Sequence, residues 1–464
     1  MFTAGEPFLL FDYFRVPYAV EPAGGPGAFH SVRADATGRT LLYPRAAGEP
    51  RAWRLGPIRL FAAAAQDEQM TEWLRETGST WERAERLEAA DGSAHASIWR
   101  TIDGDLALPF DPSAAIESFW SERYRDERAS TGGHLKATLR TAYYRARPLL
   151  PRRVQITLRR AFSRIQAHTE FPRWPVETSL HDLYDLLFTE LRSLAGEPIP
   201  TIAPWPEGRE WAVVLTHDVE TRVGAANVAL LREIEATRGF RSSWNFVPLR
   251  YEVDDALVRE LGDGGFEVGV HGLKHDGRDL ESLETLEKRL PEIRRYAERW
   301  RATGFRSPAT HRRWEWMPRL GFDYDSSYPD TDPYEPQAGG CCTWLPFFNG
   351  ELVELPITLA QDYTLFTILR VENEQPWLQK AAFLRERGGM ALMITHPDYM
   401  LDRRYLDIYA RLLDELGDDE TLWRALPRDV SAWWRRRAAS SVERNGSGWT
   451  VSGPAANEAA ILER

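Results

Sequence analysis

From residue 211 onward, short apolar runs alternate with helical ones, and no other feature of the chain restricts its fold as much. Strand-like runs stand at 211–216, 243–247, 266–270, 352–357 and 390–395. Between and after them lie runs of helical periodicity, one ending near 238 and others at 255–261, 282–300, 377–387, 405–416 and 429–437. Strands separated by helices must be crossed over by them, so the strands run parallel, in an α/β sheet or barrel.

The remaining chain has a different texture. Residues 1–130 mix strand-like runs at 40–43 and 97–101 with helical runs at 68–76 and 113–124, and read as an α+β domain without a chemical motif. Residues 131–204 read as a basic amphipathic segment followed by a linker, whose proline-rich end, 198–207, leads into the α/β domain at 205–438. A tail at 439–464 shows a turn and one short strand. At 464 residues the chain has room for such an arrangement.

Net charge is −11, from 58 basic and 69 acidic residues, which argues against a general nucleic-acid binder because phosphate contacts need a basic footprint. The charge is unevenly spread. Between His134 and Thr169 lie nine basic residues and no acidic one, leaving −20 on the rest of the chain. There, Val154, Leu158, Ala161, Phe162 and Ile165 recur at helical spacing, flanked by Arg152, Arg153, Arg159, Arg160 and Arg164. Two readings stand open, a helix packed on an acidic face of its own protein and peripheral contact with an anionic membrane through 135–165. The N-terminal stretch lacks the basic opening of a signal peptide, and no apolar run reaches the ~18 residues of a membrane span, so the expected compartment is the cytoplasm. Cys341 and Cys342 are adjacent in a glycine-led loop and read as buried or spectator thiols.

In parallel α/β folds, functional groups gather where the strands end at their carboxyl edges. Three ends here deliver carboxylates and histidines. The run at 211–216 leads into His217-Asp218-Val219-Glu220, where side chains two apart share a face. The run at 266–270 leads into His271-Gly272-Leu273-Lys274-His275, whose spacing lets both imidazoles meet one ion. The run at 390–395 leads into His396-Pro397-Asp398. Two histidines and a carboxylate with open positions suit a divalent metal that activates water; either Asp218 or Glu220 can supply the carboxylate.

These motifs resemble the polysaccharide deacetylases of carbohydrate esterase family 4, the nodulation-type deacetylase domain, over about 205–400. The resemblance implies a distorted (β/α) barrel and a metal-dependent hydrolase of N-acyl groups, with Zn²⁺ as the expected ion. Thr216-His217-Asp218-Val219-Glu220 is similar to the family's first motif, which makes Asp218 the general base and Glu220 a metal ligand. It departs from that motif in having Val219 second and Glu third, which leaves Asp218 as a second candidate ligand. His271-Gly272-Leu273-Lys274-His275 matches the second motif and supplies two ligands, and Arg306-Ser307-Pro308 matches the third, whose arginine holds the base. The fifth, 390–396, ends in His396, the expected proton donor. For the fourth, Asp362 is the candidate that tunes His396, with Asp325 second.

The expected substrate is an N-acylated sugar, acetamido or formamido, on a precursor of a surface glycan. Two other functions remain in view. One is a catalytically silent module that binds a glycan or a partner; the other is a hydrolase of small non-sugar amides. Trp244, Trp314 and Trp316 can stack on a sugar or pack in the core. His217 is expected to face the barrel wall.

Overall fold

A computed structural model describes residues 1–21, 27–125, 169–446 and 448–464, with Thr157, Arg160, Ala161, Ser163 and Gln166 between them. Most of the basic segment, including Arg152, Arg153, Arg159 and Arg164, lies outside the described residues, and so does the apolar stripe apart from Ala161. Of its arginines Arg160 is described, and its Nε–H donates to the Thr367 carbonyl at 2.9 Å.

The chain divides into two compact units. One gathers residues 1–139, 178–207 and 436–464; the other gathers 140–177 and 208–435. The limits 208 and 435 lie close to the 205 and 438 read from sequence, whereas 178–207 and the tail, read as separate segments, group with the N-terminal residues. The proline-rich stretch is no free linker, because it holds the strand Pro200–Ile202, which pairs antiparallel with Ile461–Glu463 at the chain's end. The tail likewise carries three strands where one was expected, Ser441–Asn445 and Gly448–Ser452 forming a hairpin and Ile461–Glu463 the third. Buried Arg437 fastens this region by donating to the carbonyls of Ala203, Ile202 and Tyr13 at 3.0, 2.8 and 2.8 Å. Among the described residues the first unit is otherwise a nine-stranded, mostly antiparallel sheet with helices that include Asp67–Arg75, Pro112–Trp120 and Ser179–Ala195.

The second unit is a distorted (β/α) barrel. Its strands run parallel in the order Leu352–Glu354, Tyr324–Asp325, Gly304–Phe305, Glu267–Val270, Ser242–Phe246, Trp211–Val219, Met390–Thr395. Phe347–Asn349 adds an antiparallel edge, and Leu422–Ala425 fills the lower half of one side of Trp211–Val219, which Ser242–Phe246 reaches only from Leu215 upward. The ring closes irregularly. Thr358 and Leu359 donate their N–H groups to the Leu392 carbonyl at 3.1 and 3.0 Å, and Leu392 N–H donates to Thr358 Oγ1 at 2.9 Å.

All nine residues of Trp211–Val219 are buried, the behaviour of a parallel strand covered on both faces. Helices start where side chains can cap them: Thr221 before Arg222–Ala236, Asp254 before Asp255–Asp263, Ser282 before Leu283–Trp300, Asp402 before Arg403–Gly417. Each cap fixes where a loop at the barrel mouth ends. Among the described residues no helix is long and apolar enough to cross a membrane.

Candidate active site

Alternation along Trp211–Val219 sorts its polar side chains onto two faces. Thr216 and Asp218 point into the barrel, where both meet Arg306. His217 points outward, and its Nε2 lies 2.6 Å from Glu235 Oε1, its Nδ1 2.7 Å from Thr395 Oγ1, and its ring 4.0 Å from the Trp244 ring in a stack. Trp244 is therefore core on the outer wall of the barrel and is not available to a sugar. Trp314 and Trp316 are half-buried, with Trp314 stacked beside Phe347. Cys341 and Cys342 are both buried.

Parallel pairing brings Asp218 level with Asn245, whose amide donates to Asp218 Oδ1 at 3.0 Å. Asp218 Oδ2 faces the Arg306 guanidinium at 3.5 Å and His271 Nε2 at 3.7 Å. Burial works against ionising this carboxyl, but the charges of Arg306 and His396 and the Asn245 amide outweigh it and hold the group below its ordinary range. Arg306 is itself buried, and its Nη2 donates to Thr216 Oγ1 at 3.2 Å and Ser326 Oγ at 3.0 Å, so the fork is aimed from three sides.

Glu220, His271 and His275 converge. Each offers one ligand atom, and these atoms lie within 4.8 Å of one another. His271 donates Nδ1–H to the Arg306 carbonyl at 3.0 Å, which can only accept, so the proton sits on Nδ1 and the Nε2 lone pair faces the cluster. Burial pushes the His271 imidazole down to about 4, which keeps it neutral, the form a metal needs. His275 Nε2 is buried without a well-formed hydrogen bond and lies 3.0 Å from Glu220 Oε1. Burial also opposes ionising Glu220, yet the His275 contact and the positive charge of His396 hold its carboxyl well below the usual range. An orphaned imidazole nitrogen, a second imidazole with its lone pair presented and an ionised carboxylate form a donor set that fits a divalent ion such as Zn²⁺.

Opposite this cluster stands His396. Its Nδ1 is 2.7 Å from Asp362 Oδ1, and its backbone N–H donates to Asp362 Oδ2 at 2.8 Å. Burial lowers the affinity of this imidazole for its proton, but buried Asp362, with Glu220 and Asp218, more than reverses that and raises it to about 10. His396 Nε2 then faces the site, 3.8 Å from Glu220 Oε1. Asp325, the second candidate for this role, is elsewhere, receiving Ser327 N–H and Oγ–H at 2.8 Å each and pairing in register with Glu354.

Sequence reasoning missed Asn245, Tyr363 and Tyr399, and named Asp398 at a strand end without giving it a role. Asn245 was hidden because a polar residue inside an apolar run carries no sign of its cross-strand partner. Asp398, two residues past His396, accepts the Glu220 N–H at 3.0 Å and also bonds Thr221 Oγ1, tying the loop after the first barrel strand to the loop after the last. Tyr399 lies beside the His396 ring, and Tyr363 beside Tyr399, at ring separations of 5.3 and 5.0 Å.

No family model matches the chain, and no curated protein matches it. Solved structures do. One, from Mycobacterium smegmatis and described as a polysaccharide deacetylase, is 19% identical, covers 53% of this chain and 98% of its own, and has a TM-score of 0.42. The PuuE allantoinase is 14% identical over 57% of this chain and 98% of its own, with a TM-score of 0.41. The peptidoglycan deacetylase PdaC from Bacillus subtilis is 11% identical over 50% of this chain and 95% of its own, with a TM-score of 0.33.

Proposed function

We propose that this chain is a metal-dependent hydrolase of N-acyl amides, of the polysaccharide deacetylase type. Its substrate is an acetamido or formamido sugar of a surface-glycan precursor. The observation that carries the reading is the meeting, at one barrel mouth, of the Glu220, His271 and His275 cluster with an ionised carboxylate on one side and a protonated imidazole on the other. A divalent ion, Zn²⁺ by donor preference, would supply polarisation of the acyl carbonyl and acidification of water.

The chain's own residues supply the proton chemistry. Asp218, aimed by Asn245 and Arg306, takes a proton from the attacking water. The water oxygen adds to the acyl carbon, the carbon–nitrogen bond breaks, and His396 Nε2 gives its proton to the departing nitrogen. Asp362 holds His396 charged and oriented for that transfer. The products are a carboxylic acid and a free amine.

Incubating the zinc-loaded protein with N-acetyl and N-formyl amino sugars, free, nucleotide-linked and oligomeric, and measuring the acid released should single out at least one sugar. Turnover of small cyclic ureides alone would point to the non-sugar hydrolase. No release from any substrate by a zinc-loaded protein that still binds glycan would leave the silent binding module standing.

A further inference from the structure

We infer that Asp279, braced by Arg289, is a positioning residue that shapes the loop carrying the two imidazoles; the inference rests on the metal reading above. Residues 271–279 contain no helix or strand, so the loop must take its shape from side chains. His271 is fixed at a strand end, but His275 has to be carried back toward it, and it does so from a left-handed backbone with φ 55°.

The loop is wound around one carboxylate. Asp279 is 2% exposed, and its Oδ2 accepts the buried Leu273 N–H at 3.0 Å. Gly272 makes the approach possible, since its φ is +61° and a Cβ there would stand 2.4 Å from Asp279 Oδ2 and 2.6 Å from the Pro308 ring. The other Asp279 oxygen receives Arg289 Nη1 at 2.6 Å. The same guanidinium spans Asp276, the neighbour of His275, with contacts of 2.7 Å to each carboxylate oxygen. Arg289 belongs to the helix Leu283–Trp300, so a helix holds both ends of the turn 276–279 that follows His275. The Leu273 carbonyl is pinned as well, by the Leu249 N–H at 2.9 Å.

No atom of Asp279 belongs to the Glu220, His271 and His275 cluster, so its effect must pass through the geometry of that loop. Partners that orient metal ligands are commonly worth 10- to 100-fold in affinity. Asp279→Ala should therefore weaken the zinc dissociation constant, measured by competition with a chromophoric chelator, by ~10-fold or more. It should also shift the visible absorption of the cobalt-substituted protein. Asp279→Asn keeps an acceptor for Leu273 N–H and should recover part of the loss. Arg278→Ala, whose exposed side chain pairs with Glu281, leaves the Asp279 contacts with Leu273 and Arg289 in place and should leave the constant unchanged. Should Asp279→Ala not fold, Arg289→Gln, which leaves Asp279 in place, carries the same expectation of weakened zinc. Wild-type zinc affinity in folded Asp279→Ala, or in Arg289→Gln where that variant replaces it, overturns this inference alone. A wild-type chain that takes no zinc overturns the metal reading and this inference with it.

Discussion

Replacing Asp218 by Asn should cut hydrolysis of the best N-acyl sugar at least ~10²-fold, about 2.7 kcal/mol of transition-state stabilisation, while zinc stays bound. The amide keeps the shape and can still accept from Asn245, but it cannot take a proton. Its NH₂ end would also face Arg306, which now meets an ionised oxygen at 3.5 Å. Because Asp218 Oδ2 lies 3.7 Å from His271 Nε2, the variant separates two roles. Lost activity with retained zinc marks a base, whereas lost zinc would make Asp218 the carboxylate ligand and release Glu220 from that role. Chelator competition and acid release on the same sample distinguish them.

The second large effect concerns His396. Alanine there should lower turnover by ~10²- to 10⁴-fold, the usual contribution of a general acid. A milder variant, Asp362→Asn, tests how the proton is held. His396 is raised to about 10 chiefly by Asp362 working against burial. A group raised in this way is charged below its own pKa and loses its charge as pH climbs through it, so the basic limb of the kcat/KM profile reports its deprotonation. A divalent ion at Glu220 adds positive charge nearby and draws that limb of the loaded enzyme below 10. Removing the Asp362 charge should move the limb further down, toward or through neutral pH. A limb that stays put in Asp362→Asn would show that His396 is not the titrating acid.

Much of this arrangement is legible in the sequence. Runs such as 211–216 and 390–395 announced themselves because a parallel strand buried on both faces is continuously apolar. The strand-end residues Asp218, Glu220, His271, His275 and His396 stood out because charged or ionisable groups interrupt such runs at their carboxyl ends. Gly304–Phe305 and Tyr324–Asp325 left no trace, for two residues cannot establish a period. The pairing of the proline-rich stretch with the tail left no trace for another reason: Thr201 finds its strand partner at Leu462, and pairing over that separation writes nothing into local sequence. Asp279 looks like an ordinary loop carboxylate, and Asp398, though it stands at a strand end, shows no role in sequence, since what distinguishes them is the backbone N–H each one accepts.

The central claim, that three strand ends assemble one metal-dependent hydrolytic site, is tested most directly by titrating the metal-free protein with Zn²⁺ in a calorimeter at neutral pH. The account predicts one tightly bound ion per chain and loss of that binding in His271→Ala. A wild-type protein that binds no zinc, or a His271→Ala variant that binds it unchanged, would contradict it.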